Sequence, residues 1–151
     1  MKFIADAMLG RLARWLRLSG YDVQYTNDME NGLVLRISRE EGRIILTRDK
    51  GLYEKAIRNN TQAVLLKSND FTDRIRQLQK ELGVIIQDNP KLARCPVCNG
   101  VIAQIQKKEV GFEVPPKILE QVDEFWKCTE CEKIYWHGGH WKNISSFVEK
   151  L

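Results

Sequence analysis

The chain has no apolar run approaching the roughly 18 residues that a membrane span requires. Its first twenty residues carry Lys2, Asp6, Arg11, Arg14 and Arg17, which argues against a secretory signal peptide. A cytoplasmic location is therefore expected, with no membrane partner. No GxGxxG or P-loop pattern follows the first strand candidate, which disfavours the common nucleotide-cofactor enzymes of doubly wound folds. Histidine is scarce: the two copies are His137 and His140, so residues 1–90 offer no histidine base. Cysteine is limited to four copies, but their spacing is informative.

What is present is ordinary globular composition: 151 residues with 43% hydrophobic and 29% charged side chains. This length suits one domain, or one domain with a small module, and the composition excludes a wholly disordered chain. The formal net charge is +4. Residues 1–90 hold fifteen Lys/Arg against twelve Asp/Glu, and residues 91–151 hold nine against eight. The positive excess lies mainly in the first part, and it mildly favours a polyanionic partner.

Cys95-Pro-Val-Cys98 and Cys128-Thr-Glu-Cys131 are two Cys-x-x-Cys hooks. Two such turns supply four thiolates in tetrahedral array, the arrangement of a structural zinc site. Two disulfides are disfavoured in a reducing compartment, and a dithiol redox centre would need only one hook.

The organisation changes near residue 90. Before it, apolar runs at Phe3–Ala5, Val23–Tyr25, Ile44–Thr47, Ala63–Leu66 and Val84–Ile86 read as five strands. Helical patterns lie between them. Leu9, Leu12, Ala13 and Leu16 share one face. A second helix, about 30–41, carries Leu33, Val34 and Ile37 and ends at Gly42. A third covers about 50–59, and a fourth, about 72–82, carries Ile75, Leu78 and Leu82 and stops at Gly83. Alternating strands and helices imply right-handed crossovers, hence an open parallel α/β sheet covered on both faces.

An aspartate follows each strand candidate: Asp6, Asp28, Asp49, Asp70 and Asp88. The strand ends of such a sheet share one edge, where ligands bind. Converging carboxylates repel unless a cation lies among them, and oxygen ligands suit Mg²⁺ or Mn²⁺. Such ions would activate water against a phosphodiester. Helix capping competes with this reading, since Asp is a preferred N-cap. Asp28 and Asp49 sit where caps belong, and Asp70 lies close to one. Asp6 opens directly from its strand into the helix, and Asp88, before Asn89-Pro90, reads as a turn residue. A phosphoacceptor receiver domain would also place an acid at Asp49. It wants paired acids after the first strand and a lysine after the last, where Gln87 stands.

On the first helix Arg11, Arg14 and Arg17 fall on an arc about 80–200° from Leu9. They are expected to project to solvent beside the Asp6 end and to hold a phosphate backbone, although a charged helix face is often no more than solvated.

These residues resemble a known family. Phe3-Ile-Ala-Asp6-Ala-Met-Leu-Gly-Arg-Leu-Ala-Arg-Trp-Leu-Arg17, Gly20-Tyr-Asp22 and Ile45-Leu-Thr-Arg-Asp49 carry the likeness in the first part. Arg94-Cys-Pro-Val-Cys-Asn-Gly100, Val114-Pro-Pro116, Asp123-Glu-Phe-Trp126 and Tyr135-Trp-His-Gly-Gly-His-Trp141 carry it in the second. Together they resemble the Mut-seven carboxy-terminal ribonuclease domain family over nearly the whole chain. The resemblance implies a PIN-like nuclease domain, residues 1–90, followed by a zinc-ribbon domain, residues 91–151. It implies a divalent-metal-dependent ribonuclease whose acidic site maps to Asp6, Asp28 and Asp49, with Asp70 a weaker fourth. Glu30 is another acid near Asp28. Gly138-Gly139-His140 stands where Gly-Ser-His is more usual.

On this reading Asp6 and Asp49 ligate Mg²⁺ or Mn²⁺, and Asp28 orients water or completes the site. Asn at Asp6 or Asp49 is expected to abolish cleavage with little change in melting temperature. Arg11, Arg14, Arg17, Arg48 and His140 are the RNA-contact candidates, while Cys95, Cys98, Cys128 and Cys131 hold zinc. Phe125, Trp126, Tyr135, Trp136 and Trp141 either stack on bases or, the favoured alternative, pack the small module. His137 is expected at the surface. A nuclease needs control, so a protein inhibitor joins RNA among the expected partners. A non-catalytic RNA-binding protein on the same fold is the competing reading.

Overall fold

The computed structural model describes all of residues 1–151 except Thr26 and Gly139, and the side chains of His140, Trp141, Lys142 and Ile144 also lie outside the described set. The first part is β1 (Lys2–Ala5), a 3-10 turn (Ala7–Leu9), α1 (Gly10–Leu18), β2 (Asp22–Tyr25), α2 (Asn31–Glu41), β3 (Ile44–Thr47), α3 (Lys50–Arg58), β4 (Ala63–Leu65) and α4 (Phe71–Leu82). The four strands are parallel in the order β2-β1-β3-β4.

Period-2 alternation divides the core between the two faces of this sheet. Phe3, Ala5, Ile44, Leu46 and Val64 meet α1 and α4 through Leu12, Leu16, Ile75 and Leu78. Ile4 and Ile45 point the other way, onto Val34 of α2 and Leu52 and Ala56 of α3. Gly42 and Gly83 end α2 and α4 in the left-handed region, at φ 65° and 69°, the conformation that favours glycine at a helix end. Both helix stops are as expected.

The fifth expected strand is corrected. Residues 83–89 form no helix or strand. Ile85 N–H donates to Tyr21 Oη at 2.9 Å, and Gln87 N–H donates to Ser19 Oγ at 3.3 Å. The donors a sheet would use are thus spent on the end of α1. Val84 and Ile86 still bury into the core while Ile85 faces outward, so the strand-like pattern reports burial of an extended tether.

Beyond it lie β5 (Ile102–Ile105), a 3-10 turn (Lys107–Glu109), α5 (Pro116–Gln121), β6 (Phe125–Cys128), β7 (Ile134–Trp136) and α6 (His140–Val148). The three strands form an antiparallel sheet in the order β5-β6-β7. Its inner side shares the first part's core: Cys95, Ile102, Trp126, Cys128 and Tyr135 belong to one cluster with Phe3 and Leu16. The architecture is thus an α/β parallel sheet flanked by helices, followed by a small antiparallel unit carrying the four cysteines. Among the described residues no helix is long and apolar enough to cross a membrane.

Arg17 joins the two parts, and its expected solvent position is corrected. It is only 5% exposed. Its Nε donates to Val23 O at 2.9 Å and its Nη1 to Pro96 O at 2.9 Å. Val23 N–H donates to Asn99 Oδ1 at 3.0 Å. β2 is an edge strand, and edge strands are protected by covering them. Here the first cysteine hook and Arg17 take the outward N–H and C=O of Val23 in place of a neighbouring strand.

Candidate active edge and four-cysteine centre

β1 and β3 are neighbours, so the residues that follow them are neighbours too. Asp6 ends β1 and is 7% exposed. Its Oδ1 accepts Met8 N–H at 3.0 Å, and its Oδ2 accepts Arg48 N–H at 3.2 Å together with the Thr47 hydroxyl. Asp49 caps α3: its Oδ1 accepts Leu52 N–H at 3.1 Å, and Asn31 Nδ2 reaches its Oδ2 at 3.4 Å. Thr47, fully buried, links the two acids. Its hydroxyl donates to Asp6 and accepts Asp49 N–H at 2.9 Å. The Asp49 carboxyl is held below the usual range chiefly by the Leu52 amide, then by Asn31. That keeps it anionic.

By strand order, Asp6 and Asp49 follow the neighbouring strands β1 and β3, while Asp28 and Asp70 come after the outer strands β2 and β4. Among the described residues no three of these acids come close enough together to hold one ion. The structure therefore brings Asp6 and Asp49 together and leaves Asp28 and Asp70 at the flanks. Asp70 caps α4, accepting Asp73 N–H at 3.0 Å. Asp28 does not cap α2, because Glu30 stands at that position without a side-chain cap bond. The Asp28 side chain is exposed and makes no hydrogen bond or ion pair among the described residues, so the capping reading is removed for it.

The donor chemistry of the central pair fits a hard divalent cation. An ionised carboxylate offers about four lone-pair sites, and neither Asp6 nor Asp49 has all of them engaged. Mg²⁺ is commonly held by one or two carboxylates plus waters and substrate phosphates.

Cations flank the pair. Arg48 Nη2 donates to Asn69 Oδ1 at 2.5 Å, and its buried Nε has no partner among the described residues. Arg74 grips the same loop through Ser68 O at 2.8 Å and Asn69 O at 3.3 Å. Burial and then the Arg48 charge lower its pKa, as expected of two like charges held close. Arg11 and Arg14 are exposed on α1 as expected. Thr47, Asn31 and Arg74 were not assigned from sequence. Thr47 had one signal, a polar residue ending the apolar run Ile44–Leu46; Asn31 and Arg74 had none, because tertiary folding alone brings them in.

The cysteines form a different kind of site. Their Sγ atoms all lie within 4.8 Å of one another, and among the described residues this is the one set of three or more His, Cys, Asp or Glu close enough to hold an ion. Cys95–Cys131 and Cys98–Cys128 stand at 3.6 and 3.4 Å. A tetrahedral Zn–S site at 2.3 Å has sulfurs about 3.8 Å apart, so the set fits. Gly100 N–H and Glu130 N–H point at Cys98 and Cys128 Sγ, each at 3.4 Å. A Cβ at Gly100 would lie 2.9 Å from Cys128 Sγ, which makes glycine obligatory there. Burial works against ionising Cys95, but the Tyr135 hydroxyl at 3.0 Å and backbone amides outweigh it and bring the thiol to about 7. The buried Arg17 guanidinium feels the Cys95 and Cys98 charges, a counter-charge for a thiolate centre.

Phe125, Trp126 and Tyr135 are buried, which matches the packing reading of the aromatics. Trp136 is partly exposed, and the Trp141 side chain lies outside the described residues, as does that of His140. Asp88 is more than a turn residue: it accepts the Ser145 hydroxyl and faces half-exposed His137 Nε2 at 3.3 Å, tying the tether to the C-terminal segment.

No curated protein and no solved structure matches the chain. A family model described as the Mut7-C RNAse domain matches residues 1–148. Covering essentially the whole sequence, that match places the chain in the Mut7-C RNAse domain family.

Proposed function

We propose that this protein is a divalent-metal-dependent ribonuclease hydrolysing RNA phosphodiester bonds at the Asp6–Asp49 edge. The observation that carries the reading is the Thr47 bridge, which ties the Asp6 carboxylate to the backbone N–H of Asp49 where the adjacent parallel strands β1 and β3 end. Asp6 and Asp49 would hold Mg²⁺ or Mn²⁺, which supplies charge neutralisation at the phosphoryl oxygens and lowers the pKa of water. Thr47, Met8 N–H and Arg48 N–H fix the Asp6 carboxylate in one orientation. Asn31 steadies Asp49. Asp28, free of capping duty, would accept a proton or orient the attacking water. Arg48 and Arg74 would take the phosphate flanking the reacting one, with Arg11 and Arg14 following the strand along α1. Arg17 belongs to the scaffold in this account, and Asp70 acts as a cap. The four cysteines would hold zinc in a structural role.

Cleavage of end-labelled single-stranded and structured RNA with Mg²⁺ or Mn²⁺ tests this, with Asp49→Asn beside the wild type. Asn caps a helix as well as Asp does, so the variant should keep its fold and lose cleavage. Equal cutting by both proteins would refute the assignment. Salt-dependent RNA binding with no cutting by either would instead favour a non-catalytic RNA-binding protein.

A further inference from the structure

A cleft of about 450 Å³ separates α1 from α6. Arg11, Trp15 and Leu18 line it from α1; Asn143, Ser146, Phe147 and Lys150 line it from the C-terminal segment. Two of its lining rings, Trp15 and Phe147, form a triangle with Phe71. Trp15 meets Phe147 edge-on at 4.8 Å and Phe71 at 5.4 Å, and Phe71 and Phe147 stand 5.7 Å apart. Trp15 and Phe147 remain partly exposed. The Arg11 guanidinium lies 4.1 Å above the Phe71 ring. That contact holds the planar cation without consuming its N–H donors.

The charge in the cleft has one sign. Arg11 and Lys150 line it, no carboxylate does, and neither cation makes an ion pair among the described residues. The cleft begins close along the chain to the candidate active edge. Arg11 is in the first turn of α1, just after the turn capped by Asp6, and Phe71 opens α4 beside Asp70. From Arg11 to Trp15 the helix rises about 6 Å away from that edge.

We propose that the α1–α6 cleft is a nucleotide subsite for single-stranded RNA, holding one base against Trp15 and Phe147 and its phosphate between Arg11 and Lys150. This inference rests on the ribonuclease reading for the direction of the strand. The volume lies within the range of small-ligand sites. Aromatic faces accept any base, and paired cations follow the backbone, which is how single strands are held without sequence preference. A duplex would not fit, because its bases are stacked and unavailable to Trp15.

The test uses the zinc-loaded full chain with no added Mg²⁺ or Mn²⁺ and a fluorescent 12-nucleotide RNA containing 4-thiouridine. Anisotropy gives the affinity, and photocrosslinking followed by tryptic mapping gives the location. The double variant Arg11→Gln, Lys150→Gln should weaken binding at least tenfold and flatten the log–log salt dependence by about 0.7, for one phosphate on a single strand. Exposed Lys150→Gln alone, which leaves the ring triangle untouched, should weaken it about threefold. Crosslinks should fall in the peptides Trp15–Arg17 and Asn143–Lys150.

Unchanged affinity, or crosslinks confined to other peptides, overturns the subsite and leaves the cleft to a protein partner such as an inhibitor. If wild type still cuts RNA with Mn²⁺ in that case, the ribonuclease reading stands alone. Crosslinks in the cleft without any cutting would sustain the subsite and remove the nuclease. An absence of RNA binding by wild type would overturn both.

Discussion

The two candidate metal sites of this chain are built on opposite plans. At the cysteine centre all four ligands converge within 4.8 Å and amides already point at the sulfurs. At the aspartate edge only Asp6 and Asp49 are linked, through Thr47, and Asp28 and Asp70 lie in the segments after the outer strands. A closed ligand set suits an ion that holds structure; an open one suits an ion whose shell is finished by water and substrate. One ion should therefore matter to folding and the other to turnover.

Removing zinc should have the largest effect. The first hook covers Val23 on edge strand β2 and shares the core with Phe3 and Leu16. Chelation should therefore unfold both parts in one transition, costing at least about 4 kcal/mol, or roughly 10 °C in melting temperature. A first part that keeps its melting temperature without zinc would break the comparison.

Next comes the buried strut. Arg17→Met fills a similar volume but strands the carbonyls of Val23 and Pro96, so a loss of about 3 kcal/mol is expected. Thermal or urea unfolding checks it, and zinc affinity should fall as well because the counter-charge has gone.

Asp22 sharpens the same seam through pH. It pairs with Arg43 at 2.7 Å and accepts Asn99 Nδ2 at 2.7 Å. Burial opposes its charge, but those bonds win and hold the carboxyl below its ordinary value. A carboxyl lower in the folded state than in the unfolded chain stabilises above the unfolded value near 3.9 and stops doing so as pH falls past the folded one. Asp22→Asn should cost about 2 kcal/mol at neutral pH. Its deficit against wild type should shrink as pH falls below the unfolded value near 3.9 and the carboxyl takes up its proton.

Thr47→Val carries the smallest stability effect, about 1 kcal/mol, for a hydroxyl removed from a buried bridge. Its effect on turnover should be larger, near tenfold, since it releases the Asp6 carboxylate and the Asp49 backbone N–H that set the two acids in place. Substitution of the two acids themselves should differ. Asp49→Asn keeps its cap, whereas Asp6→Asn presents an amide to the Met8 and Arg48 donors and should lower stability as well as activity. That revises the expectation that either exchange spares the melting temperature.

Local chemistry was legible and long-range chemistry was not. The cysteine hooks, the glycine helix stops at 42 and 83, and four of five strands follow from spacing within a few residues. Arg17 was misplaced because it lies about 80° from Leu9 on the helical wheel, at the margin of the apolar stripe. Only the distant Cys95–Asn99 turn decides which side of that margin is covered. The 84–86 segment departs from a strand for a similar reason: the Ile85 and Gln87 amides are claimed by Tyr21 and Ser19. The candidate acids stand out because each follows a strand candidate, but which of them share an edge depends on the order β2-β1-β3-β4, which no local pattern states.

The most direct measurement is Mn²⁺ binding to the zinc-loaded protein by electron paramagnetic resonance, with and without a single-stranded RNA. The account predicts weak binding by protein alone, at least tenfold tighter binding when RNA phosphates complete the shell, and loss of both in Asp49→Asn. Tight Mn²⁺ binding that ignores RNA, or binding unchanged by Asp49→Asn, would contradict it.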